Sequence, residues 1–229
     1  MMNDLNSTLF NIAQSLPGFL LAIVIHEAAH AWMANKFGDP TAKNLGRVTL
    51  NPAAHYDPWG TVFFPLMAAF TGFAMIGWAK PVPIETRNFK NYRTGIFWVS
   101  FAGPLSNIIL GTVSAIILAL IATKVSTSWE YYSISLQMLR YSVFINFILA
   151  FFNLLPIPPL DGSKMVSSFL KGPVLFKYEG LAQYTPMFFL GVMVLSFMGI
   201  HTIGYLLAPA QMLANYLMFA FVGLFGGIA

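Results

Sequence analysis

Long stretches without a charged side chain alternate with short polar connections along this 229-residue chain. The apolar runs cover 5–35 (apart from one His/Glu cluster), 60–79, 94–123, 141–160 and 180–229, the last interrupted only by His201. A membrane-spanning helix needs about 20 mostly apolar residues, so the last run has room for two spans and each of the others for one. The pattern therefore predicts an all-α polytopic membrane protein with five to six hydrophobic segments. Between the first two segments, residues 37–60 are polar and rich in Pro, Gly and Asn. There the alternation of "GRVTL" predicts a short strand, making 38–58 a β-like, membrane-associated loop. Non-helical backbone at that depth is tolerated where protein covers it or water reaches it.

Composition strengthens this picture. The chain is 57% hydrophobic and 9% charged, with a mean hydropathy of +0.69, against about 25% charged residues in soluble domains. One compact unit is the expectation for this length, with 1–229 as a single domain, a core over 10–162 and accessory helices over 180–229. The start, "MMNDLNSTLF", lacks the basic region and small-residue site of a cleaved signal peptide. No polar tract follows the last segment, so no appended soluble domain is expected. Cysteine is absent, which excludes disulfides and thiolate metal sites and leaves His, Asp and Glu as ligands.

The net charge of +4 resides in short loops. Residues 80–93 carry Lys80, Arg87, Lys90 and Arg93 against Glu85, and 164–179 carries Lys164, Lys171 and Lys177 against Glu179. Both loops read as cytoplasmic topology signals and not as a nucleic-acid surface.

The first apolar run holds an anomaly. Between Asp4 and Lys36 the ionisable side chains are His26, Glu27 and His30, in "AIVIHEAAHAW". Each such group costs roughly 2.5–3.5 kcal/mol on insertion scales, so a cluster of them marks a functional site. The pattern is H-E-x-x-H: on a helix the two imidazoles share one face and can hold one zinc, with the glutamate beside a water on the metal. Catalytic zinc usually takes three protein ligands and leaves a fourth position open. His55, His201, Asp39, Asp57 and Asp161 are the candidates for the third ligand. Asp161 is favoured because it closes "NLLPIPPLDG" at 153–162, where Pro156, Pro158 and Pro159 break the helix and free backbone carbonyls.

Together, "HEAAH" at 26–30, "AGPLSN" at 102–107 and "NLLPIPPLDG" at 153–162 resemble, in order, the three-helix core of the site-2 protease family of intramembrane zinc metalloproteases. "NPAAHYDP" and "GWAKPVP" resemble its small branch, which lacks PDZ and CBS domains. The resemblance implies one zinc per chain bound by His26, His30 and Asp161, with Glu27 as general base to a zinc-activated water. It also implies that Asn153 positions the substrate carbonyl or its oxyanion; an interhelical hydrogen bond is the alternative role. Expected partners are transmembrane protein substrates, the lipid bilayer and a regulatory protein, in a prokaryotic inner or cell membrane. A substrate helix must unwind before cleavage, and an exposed strand edge can pair with the extended segment. "GRVTL" or "FAMIGWA" is the candidate edge.

Ligand depth constrains the topology. His30 and His26 lie six and ten residues before Lys36, which puts the metal about 9–15 Å below the surface by helical rise. Asp161 precedes a basic loop, so an even number of crossings separates the two ligand sets. One intervening segment must then fail to cross, and 60–79, with Pro65 and Gly72, is expected to be re-entrant. The active site then lies nearer the cytoplasmic face. His55 is a candidate for gating the site or supporting a ligand, or a loop histidine bonded to backbone; His201 reads as interhelical or interfacial. Gly103, Ser106 and Gly111 read as positions of close helix packing. Competing readings keep the metal but act on a non-peptide substrate, or make the protein a metal transporter, which would be expected to show repeats and polar residues in several segments.

Overall fold

The computed structural model describes residues 2–63, 66–67 and 79–226. Four described helices are long and apolar enough to cross a membrane: Phe10–Lys36, Tyr92–Lys124, Tyr132–Leu154 and Thr202–Gly226. The first belongs to helix α1 (Met2–Lys36), and the others are α4, α5 and α9. Between them lie α2 (Thr41–Asn44), α3 (Pro52–His55), α6 (Asp161–Ser167), α7 (Gly172–Glu179) and α8 (Thr185–Phe197).

Helix α4 is the hub and packs against α1, α5, α6 and α9. Its outer stripe, Ile109, Val113, Ile117 and Leu120, is exposed at helical spacing. An apolar stripe turned outward is what lipid requires and water would penalise. Its inner face meets Val143 and Phe147 of α5 and Ala210, Ala214 and Met218 of α9 in one cluster. Small residues let the backbones approach: a side chain at Gly111 would press on Phe147 and Asn146, and one at Gly18 on Ser142.

The ends of the helices follow local chemistry. α1 closes at Gly38, whose φ of +107° suits glycine, while the Asp39 N–H bonds to Ala34 O at 2.9 Å. α4 opens on Asn91, whose side chain accepts from the Thr94 N–H. α5 stops at Leu154, ahead of Pro156, Pro158 and Pro159, as their sequence predicts.

Two expectations change. Run 180–229 contains one helix of span length, α9, and not two; α8 has 13 residues. At 1.5 Å per residue α8 is about 20 Å long, short of a hydrocarbon core of roughly 30 Å. Residues 46–50 form a turn and a bend with no strand partner among the described residues. The alternation misleads because the residue turned inward is polar: Arg47 is buried, while Val48 and Leu50 are exposed. The re-entrant course expected for 60–79 lies largely outside the described residues, as does the "FAMIGWA" edge.

Candidate metal centre

His26 and His30 stand one turn apart on α1, and Asp161 is the first residue of α6. Their donor atoms converge: His26 Nε2 and His30 Nε2 are 3.0 Å apart. Asp161 Oδ2 lies 3.2 Å from the first and 3.1 Å from the second. All three side chains are buried, and among the described residues they form the group able to hold a metal ion.

Hydrogen bonds behind the imidazoles determine what those Nε2 atoms are. The Asn107 amide nitrogen donates to Ala22 O at 3.0 Å and to Asn146 Oδ1 at 2.9 Å, so its oxygen must face His26. His26 Nδ1 therefore donates to that oxygen, at 2.6 Å. His30 Nδ1 donates to the Val99 carbonyl at 2.7 Å. With both protons on Nδ1, two imidazole lone pairs and a carboxylate oxygen point at one another. Such a contact is repulsive unless a cation fills it. Four-coordinate zinc with bonds of 2.0–2.1 Å would space its ligands about 3.3 Å apart, close to the observed triangle.

Glycines make this room. Gly103 of α4 faces the pair so closely that a methyl group there would overlap both Nε2 atoms. At Gly162 a methyl group would strike the Leu154 and Leu155 carbonyls, so glycine after Asp161 lets α6 dock on the end of α5. The sequence reading of Gly103 as a packing residue thus holds, with the imidazoles as what it packs against.

Glu27, one residue from His26, is held by the loop: its Oε2 accepts the Val82 N–H at 2.9 Å. Arg47 holds that segment, donating to the carbonyls of Ala54, Lys80 and Pro81. His55 belongs to the same loop. Its Nε2 bonds Thr49 O at 3.0 Å, its carbonyl takes the Lys80 N–H, and its Nδ1 is buried without a partner. The Asn153 amide donates to Leu149 O of its own helix at 3.0 Å.

The remaining acids proposed as ligands serve the loops. Asp39 accepts from the Thr41 and Glu85 N–H groups and the Asn88 amide. Asp57 accepts from Trp59 and Gly60. His201 is exposed before α9. Sequence reading gave no role to Asn107, which closes the "AGPLSN" motif, to Arg47 of "GRVTL", or to Asn146. Asn107 carried a signal nonetheless, as an amide inside a charge-free apolar run.

Asp39 also carries electrostatic weight. Burial works to raise its carboxyl pKa, but hydrogen bonds from Thr41, Asn88 and the Glu85 N–H outweigh it and hold the group below the usual carboxylate range.

Comparison with known proteins agrees with this geometry. The profile of Peptidase family M50 matches residues 15–140 and 126–193, which include all three donors. YwhC of Bacillus subtilis strain 168, provisionally named a zinc metalloprotease, is 39% identical over 176 residues, covering 76% of this chain and 77% of its own. Rip2 of Mycolicibacterium smegmatis, similarly named, is 31% identical over 149 residues. Rip2 of Mycobacterium tuberculosis H37Rv is 30% identical over 148. The chain spans about half the length of these Rip2 relatives, 53% in each case. No solved structure matches. The chain belongs to Peptidase family M50, the site-2 protease family, and carries four described helices long and apolar enough to cross a membrane.

Proposed function

We propose that this protein is an intramembrane endopeptidase that hydrolyses a peptide bond in or near a transmembrane segment of another membrane protein. The observation carrying the proposal is the buried triangle of His26, His30 and Asp161 on helices of membrane-spanning character. One zinc per chain, held by these three, would supply Lewis acidity at the scissile carbonyl and a water whose pKa is lowered to about 7.

Glu27 is the general base. Adjacent in sequence to His26, it takes the proton as water attacks and returns it to the leaving amine. The Val82 N–H on Oε2 fixes the carboxylate's direction and leaves Oε1 for the proton. Asn153, half-buried at the end of α5, turns its amide from Leu149 O to the developing oxyanion, a contribution of roughly 2.7–4 kcal/mol in comparable sites. His55 holds the loop behind Val82 and is not a ligand. The basic loops 80–93 and 164–179 support a site near the cytoplasmic face, and the bacterial relatives support a prokaryotic cell membrane.

Purified protein, reconstituted in liposomes with a single-span substrate, tests this reading. Mass spectrometry of the fragments is expected to place the cut within or at the edge of the apolar segment. Cuts confined to soluble flanks, or none by zinc-loaded protein, would overturn it.

A further inference from the structure

A cavity of about 440 Å³ opens beside the metal centre, between the start of α4, the run 82–89, and α6 with the segment that follows α7. That volume lies within the roughly 300–1,000 Å³ of ligand pockets and is far larger than a packing void. Val82, Ile84, Phe89, Ile96, Val99 and Pro158 give it apolar walls.

Four wall residues are tied to the chemistry. The Val99 carbonyl holds His30 Nδ1 at 2.7 Å, and the Val82 N–H holds the Glu27 carboxylate at 2.9 Å. Ser163 and Lys164 follow Asp161 on α6, with Lys164 Nζ 3.6 Å from Asp161 Oδ1. One ligand, the base and the second ligand therefore each have a neighbour in the cavity wall. The charged groups, exposed Lys164 and Glu179, come from the basic loop 164–179, so the cavity lies on the basic-loop side of the centre.

We propose that this cavity is a specificity pocket: it receives the substrate residues that follow the scissile bond toward the basic loops and selects bulky apolar side chains there. The proposal rests on the endopeptidase reading above and adds to it a substrate class. Leu, Phe or Met buries apolar surface against Ile84, Phe89 and Ile96. Glycine leaves the pocket unfilled, and aspartate loses hydration against those apolar walls while Lys164, the cation in the lining, is drawn to Asp161 Oδ1 at 3.6 Å.

The test uses reconstituted full-length protein and one transmembrane substrate varied at the first three positions on that side of the cut, as Phe, Leu, Ala, Gly and Asp. At one of those positions wild type is expected to cleave the Phe and Leu forms at least about tenfold faster than the Gly and Asp forms. Ser167→Trp, filling the cavity from α6, is expected to lower the Phe-to-Ala rate ratio at that position by about tenfold while zinc content is kept. Ile96→Ala, which enlarges the cavity, is expected to raise it. Cleavage with the same side-chain profile in wild type and both variants, or a wild type indifferent at all three positions, overturns the pocket. Failure of zinc-loaded wild type to cleave any form overturns instead the endopeptidase reading beneath it.

Discussion

The His26 Nδ1–H donates to Asn107 Oδ1 across 2.6 Å, so a neutral amide on α4 orients a ligand on α1. Asn107 is itself oriented by Asn146 of α5, whose amide nitrogen donates to Ser142 O at 2.8 Å. Three helices thus fix one imidazole. Partners of this kind are worth about 10–100-fold in metal affinity. Asn107→Leu is expected to weaken zinc binding by that factor, measured by competition with a chelator, and Asn107→Asp, which keeps the acceptor, to recover much of it.

Gly103 tests the size of the site. Gly103→Ala puts a methyl group against both Nε2 atoms, where the ion must sit. Zinc content should fall by more than about 100-fold in affinity, beyond the effect of the Asn107 change, because a donor is blocked and not merely misdirected. Thermal unfolding of the zinc-free form should also shift downward, since the imidazoles must give way to the methyl group and loosen their bonds to Asn107 and Val99.

Arg47 acts through the Lys80–Val82 segment. Its guanidinium reaches three carbonyls at once, a fork that an ammonium group does not reproduce. Arg47→Lys and Arg47→Met should both leave zinc content intact while lowering kcat about 10–100-fold, because displacement of a reacting group by about 1 Å carries that order of cost.

Asp39 ties α2 to residues 85–88 and supplies a pH-dependent element. Its pKa is lowered by folding, so its stabilisation is complete above the unfolded value near 3.9 and is lost as pH falls through the lower folded value. Asp39→Asn should lower stability at pH 7 by about 1–3 kcal/mol. That difference should persist from pH 5 to 8 and shrink below about pH 4, as followed by thermal unfolding in detergent.

The metal centre was legible in sequence because each ligand breaks a local rule. His26 and His30 interrupt an apolar run, and Asp161 ends a proline-broken one. These three donors converge on one another, and the prolines end α5 where their chemistry requires. What stayed hidden were residues that obey local rules and act at long range. Asn107 looks like any helix-packing amide until Asn146 and His26 close around it. Arg47 looked like the polar face of a strand, since period-two alternation cannot reveal that carbonyls 7 and 33 residues away await a guanidinium. The final apolar run was read as two spans because hydropathy does not register the break between α8 and α9, where Gly199 adopts a φ of +85°.

Glu27 as the base for water at a zinc held by His26, His30 and Asp161 is a role that one pair of samples can decide. Zinc content and substrate cleavage are measured together on reconstituted wild type and Glu27→Gln. About one zinc per chain is expected in both, with cleavage in the variant reduced by about 100-fold or more. A variant that keeps its zinc and cleaves at the wild-type rate would exclude this role for Glu27, and a cleaving wild type that holds no metal would exclude the zinc.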